Sequence, residues 1–414
     1  MKLIVLLLLL CFVQLSATKI ENKFAQSKYC IGCHKEQGED WKTSLHSKSH
    51  LTKNSLYLKI LQYIEKEKFI YKEIQSLRCG KCHNPRMDTT DIDFSYSLSK
   101  AYGIEDENSK KIDAILNNET NKEGISCIVC HNVDKINYKS DDSNKTINHK
   151  KYTLARGYEA LTFGPNDVMV GPYKESFRTT HHKMKQASHF REDVNTLCFA
   201  CHYDSKNKKK VPIYETGAEY ELSKSSQKCV ECHMGKYEKK IISPKVESKV
   251  KAVPRNTRRH LFAGVRNSDI VKDAIKVSVE NKNKFLFITL ENKTPHKVPT
   301  GFAGRELEVE VSYIKNEKII QKTIKKLNTL YVDRRDNETI AYIATKLKSD
   351  TRLGTKEIRQ YEIMNIPNAT SVKINIWYRL IKESLIPILN IEDEVFLKKY
   401  PIYNKTLELK SKVK

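Results

Sequence analysis

The chain begins with an apolar run, Leu3 to Val13, preceded by Lys2 and followed by Leu15, Ser16 and Ala17. A positive start, a short apolar stretch and small residues after it read as a secretory signal with cleavage near Ala17. The run is too short to cross a bilayer, which takes about 20 apolar residues. Cys11 lies inside it without small residues before it, a poor setting for lipid attachment. Further on, Tyr57, Ile60, Leu61 and Ile64, then Ile70, Ile74 and Leu77, recur near helical spacing and predict an amphipathic helix running toward Cys79. Asp88 to Asn121 and Asp134 to Lys150 are polar and are expected to be loops. Beyond residue 262 the period changes to two. Leu307, Val309, Val311 and Tyr313 alternate with Glu306, Glu308, Glu310 and Ser312, which predicts a half-buried strand. Ala274 to Val279, Phe285 to Leu290, Glu357 to Ile363 and Val372 to Tyr378 fit strands as well, with turns at 281–283, 315–316 and 367–368.

These patterns predict an α+β protein. Residues 1–17 are the signal, 18–245 a mainly helical and loop-rich region, and 246–262 a basic linker. Residues 263–400 form an antiparallel β-sandwich and 401–414 a basic tail. No later segment is apolar enough to span a membrane, so the exported protein is expected in the periplasm and not integral to the membrane. A formal charge of +24 invites a nucleic-acid reading. Export and the even spread of lysines argue against it and leave a solvated basic surface or a docking face for an acidic partner.

The cysteines supply the chemistry. Of eleven, one lies in the signal and ten form five Cys-x-x-Cys pairs, each followed at once by histidine. The motifs are Cys30, Cys33, His34; Cys79, Cys82, His83; Cys127, Cys130, His131; Cys198, Cys201, His202; and Cys229, Cys232, His233. This is the pattern of covalent haem attachment. Two thiols add across the haem vinyl groups, and the adjacent histidine reaches the iron from one side. Structural zinc would pair the motifs to make four ligands, and five is odd. Disulfides suit an exported protein but require no histidine after each pair. A thioredoxin-like motif would occur once. Five haems are therefore expected, and their propionates would add about ten negative charges against the basic chain.

Eight other histidines remain as candidates for the far side of each iron: His46, His50, His149, His181, His182, His189, His260 and His296. Several local patterns stand beside the motifs: Trp41-x-x-Ser44-x-His46; Gly171-Pro172 before His181-His182 and Leu197-Cys198; Met234 after His233, then Arg259-His260-Leu261-Phe262; and Pro295-His296 leading into Pro299-Thr300-Gly301. Together they resemble the multihaem cytochromes of the cytochrome c-554 type. The resemblance implies His46, His182 and His260 as distal ligands, with His189 and His296 next. The residues themselves do not resolve His181 from His182, nor His46 from His50, which lies one helical turn further on. The best-known tetrahaem shuttle of that type has one motif fewer and no counterpart of the C-terminal region.

Two functions fit. Serial haems with two histidines each are closed to substrate and exchange electrons only at their edges. This predicts an electron carrier between redox proteins, such as a membrane quinol-oxidising cytochrome and a periplasmic reductase. The alternative is an oxidoreductase acting on hydroxylamine, nitrite or sulfite, which needs one iron with an open position. All five motifs end in histidine, without the lysine typical of one nitrite reductase active site. A scaffold using haem structurally is the weakest reading.

Overall fold

The computed structural model describes residues 26–87, 99–104, 107–137, 155–174, 182–244, 254–264, 266, 268–282 and 284–409. The signal, His149 and His181 lie outside these residues. Helix α1, Lys35–Thr43, follows directly on His34. Helix α2, Ser55–Lys68, starts where the Asn54 side chain accepts the N–H of Tyr57 at 3.1 Å. Where one helix was expected there are two. Phe69 adopts a left-handed conformation (φ 54°) and ends α2, and α3, Lys72–His83, carries the second motif. The apolar period continues across the break, because Ile74 and Leu77 bury against Ile112 and Leu116. Those two belong to α4, Glu107–Asn117, a helix inside a segment expected to be loop. Its apolar positions fall at helical spacing, but polar residues surround them. Likewise a strand, Val133–Ile136, pairs with Leu161–Phe163 at the start of the second expected loop.

The C-terminal region holds seven principal strands: β1, Ile275–Lys282; β2, Phe285–Asn292; β3, Glu306–Lys315; β4, Lys318–Leu327; β5, Ile358–Met364; β6, Ser371–Arg379; and β7, Lys399–Glu408. They form an antiparallel three-stranded sheet, β5-β2-β1, and an antiparallel four-stranded sheet, β4-β3-β6-β7. Leu286, Ile288 and Leu290 of the first share a core with Leu307, Val309, Val311, Ile374 and Ile376 of the second. This is the packing of a β-sandwich.

Strand β3 departs from expectation, being buried on both faces. Glu306 and Glu308 are each 1% exposed. Burial of Glu308 is tolerable because Arg379 reaches it at 2.6 Å and Lys399 at 2.5 Å. Strand β4 was not expected, since its sequence mixes lysine and isoleucine on an exposed edge; lysines at such an edge oppose pairing with other chains. Residues 401–408 are strand and not tail: β7 pairs along β6, with Tyr403 opposite Ile376. The expected linker is also structured where it is described. Arg255–Thr257 pairs antiparallel with Glu238–Lys240 through main-chain bonds. The two regions share a core, in which Leu56, Ile60 and Ile64 of α2 pack with Ile340, Leu380, Ile381 and Leu385.

Candidate functional site

Each attachment motif is written on a helical turn. Cys79 to His83 ends α3, Cys127–His131 and Cys229–His233 are short helices, and Cys198 to His202 ends the helix Val194–His202. Cys30 lies in the short helix Lys28–Ile31, with His34 at the head of α1. Helical spacing brings the two sulfurs of each pair to one side, as bridging one porphyrin edge requires. None of the ten motif cysteines is joined in a disulfide, so each has a sulfur for thioether attachment. Sulfurs of different motifs are also neighbours: Cys30 and Cys127, Cys201 and Cys82, and Cys229 and Cys198 each perturb the other's thiol.

Four of the five motif histidines face a second histidine far away in sequence. Ring centres are 6.3 Å apart for His34 and His182, and 6.1 Å for His202 and His46. They are 6.1 Å apart for His131 and His260, and 6.5 Å for His233 and His296. Two imidazoles bound through nitrogen to one metal, at about 2 Å each, place their ring centres roughly 6 Å apart. Among the described residues no three metal-binding side chains converge on one point. Two histidines per centre suit an iron whose other ligands come from a porphyrin. The rings are also oriented for it. His131 Nδ1 lies 2.9 Å from the Val170 carbonyl oxygen, His83 Nδ1 3.1 Å from that of Ser49, and His260 Nδ1 3.1 Å from that of Arg258. Such bonds fix the tautomer and leave Nε2 for the metal. Burial first, and neighbouring histidines second, push His34, His202 and His260 down to about 4 and His46 to about 3, so these imidazoles are neutral.

His83 differs. Among the described residues no histidine ring stands across from it, and its ring contact is Tyr57, 4.4 Å away and nearly parallel. Burial, then the Cys79 and Cys82 thiols, raise the pKa of the nearby Tyr342 phenol. The two remaining described histidines do not complete the site. His50 is 5% exposed and bonds Thr52 through Nδ1 at 2.9 Å. His189, named among the expected ligands, is also 5% exposed and packs on Phe190. The structure brings His189 opposite none of the five motif histidines.

Two supporting residues escaped the sequence reading. Asp40 is buried on α1. It accepts from Arg259 Nε at 2.8 Å and Nη2 at 2.5 Å, and from the main-chain N–H of His260 at 2.9 Å. Phe262 lies 4.4 Å from the His46 ring and 6.1 Å from the His260 ring, so it bridges two of the histidine pairs. Asp40 precedes Trp41 of the quoted pattern, and Phe262 closes another; neither pattern discloses these contacts.

Residues 29–102 match the family model described as Cytochrome c554 and c-prime. No curated protein sequence matches the chain. Among solved structures, a penta-heme cytochrome c552 from Thermochromatium tepidum has the same fold, with a TM-score of 0.69 at 18% identity, covering 93% of this chain and 98% of its own. The chain thus carries the family pattern across its first two motifs and, over 93% of its length, shares the fold of a solved penta-heme cytochrome.

Proposed function

We propose that the chain is a periplasmic pentahaem cytochrome that carries electrons between redox proteins. The four facing histidine pairs carry this reading, for an iron with imidazole on both sides has no position for substrate. Haem supplies the one-electron couple, and the chain supplies attachment, axial ligands and contact between centres. Neighbouring thiols link the first motif to the third, and the fourth to the second and fifth. Phe262 connects the His260 and His46 sides, so no centre is isolated. The basic chain favours an acidic face on its partner, with association that weakens in salt. A membrane quinol-oxidising cytochrome as donor and a periplasmic reductase as acceptor fit that role.

One observation favours a second activity at a single centre. His83 lacks a facing histidine among the described residues, so its iron is the candidate for reducing or oxidising hydroxylamine, nitrite or sulfite. Mass spectrometry and carbon monoxide titration of the reduced protein test both readings. Five covalent haems and one carbon monoxide per chain are expected, rising to two in His46→Ala and in His260→Ala. Two or fewer haems from a maturation-competent host would end the pentahaem reading. No carbon monoxide uptake by the parent protein would remove the case for chemistry at His83.

A further inference from the structure

The C-terminal β domain contributes a histidine, His296, from the loop between β2 and β3. Beside that loop, charged and polar bonds to the haem region are concentrated. Glu219, on the short helix Thr216–Leu222 between the fourth and fifth motifs, is 4% exposed. Its Oε2 accepts from the main-chain N–H of Lys297 at 3.1 Å and from the Thr300 hydroxyl at 2.7 Å. Its Oε1 accepts from Arg352 Nη1 at 2.9 Å. Asp350 completes the arrangement, accepting from Arg352 Nη2 at 2.8 Å and from Lys297 Nζ at 2.9 Å. Inside the β domain, Asn292 Nδ2 donates to the His296 carbonyl at 2.8 Å. The loop is thus secured from behind by its own domain and from the front by a carboxylate of the haem region.

We infer that Glu219 is a positioning residue that latches the β domain in place so that His296 ligates the iron held by His233. The inference rests on the reading of facing histidines as axial ligands, and it gives the β domain a role as the donor of one ligand. The 6.5 Å spacing of His233 and His296 spans two segments with no covalent continuity near the site. Something must therefore hold their separation constant. Charge-assisted bonds from a nearly dry carboxylate are strong and short. Removing the carboxylate also leaves the Arg352 guanidinium, itself little exposed, without one of its acceptors. Asp40 repeats the device at another centre, where it grips the main-chain N–H of His260 itself. The same chemistry therefore serves two distal loops that come from different parts of the chain.

The test uses the full haem-loaded protein and three variants. Glu219→Gln keeps the side-chain shape and loses the charge, and Thr300→Val removes one donor with little change of volume. In both, the low-spin signal of one haem should be lost, and the reduced protein should take up one more carbon monoxide per chain than the parent. All five haems should stay attached and the other low-spin signals should be unchanged, which a general loss of structure would not allow. His296→Ala is the reference and should show the same extra uptake. If His296→Ala gains one carbon monoxide while both other variants match the parent, the latch is overturned and the ligand assignment stands. If His296→Ala gains none, the ligand assignment fails and the latch with it.

Discussion

Cys201 and Cys82 are neighbours close enough that each perturbs the other's thiol, which brings the second and fourth attachment motifs together at their sulfurs. A thioether sulfur marks the rim of its porphyrin, and rims in contact couple both electronically and optically. Circular dichroism in the Soret band should therefore show a two-signed signal from interacting haems. In a Cys79→Ser/Cys82→Ser variant, which has no thiol left to attach the haem at His83, that signal should shrink. A signal of unchanged shape would mean that these two centres do not interact.

Helix α2 joins the haem region to the β domain through Ile64, which is 3% exposed and packs among Leu380, Ile381 and Leu385. Ile64→Ala should cost about 2–5 kcal/mol, the usual range for emptying such a buried site. The loss should appear in the unfolding of both regions, because the cluster has residues from each. Thermal unfolding followed separately by haem absorbance and by β-sheet circular dichroism checks this. A shift in one probe alone would contradict a shared core.

Asp350 provides a pH dependence with a definite sign. Burial opposes its charge, but the hydrogen bond and charge of Arg352, and then those of Lys297, hold its carboxyl down to about 2. Because the folded value lies below the ordinary carboxylate value of about 4, its stabilisation is complete above that pH. It is lost as pH falls toward 2. With a side chain 20% exposed, the contribution is on the order of 1 kcal/mol after allowance for solvent screening. Asp350→Asn should lose this amount at neutral pH and lose less stability than the parent between about pH 4 and 2. Denaturant titrations across that range measure it, and parallel curves for the two proteins would exclude the ion pair as a stabilising element.

That the two thiols and the imidazole of a motif share one helical turn was readable because the pattern is local, written into five consecutive residues. The sandwich strands around Leu286 and Val309 were readable for a similar reason, since alternation is written into consecutive residues. What the sequence hid was mostly non-local. His46 follows the first motif yet faces the histidine of the fourth, and no spacing rule encodes that. Glu308 looked solvent-facing because its partners, Arg379 and Lys399, lie on other strands. Residues 401–408 were read as tail because four lysines fall among the last fourteen residues, although Ile402 reaches the core. Asp40 and Glu219 carry no signal at all in the linear order; each is one acidic residue among fifty.

The source of His296 also bears on the order in which the protein is completed. On the proposed ligation, haem attachment at Cys229 and Cys232 draws on five consecutive residues, Cys229 to His233. The far side of the same iron would be filled from a loop that takes its place once β2 and β3 have paired and the sheets have closed. Between those two events the haem would be attached but lack its second imidazole. The spin state of that one iron is therefore a gauge of maturation, passing from high to low when the last part of the polypeptide has reached its fold.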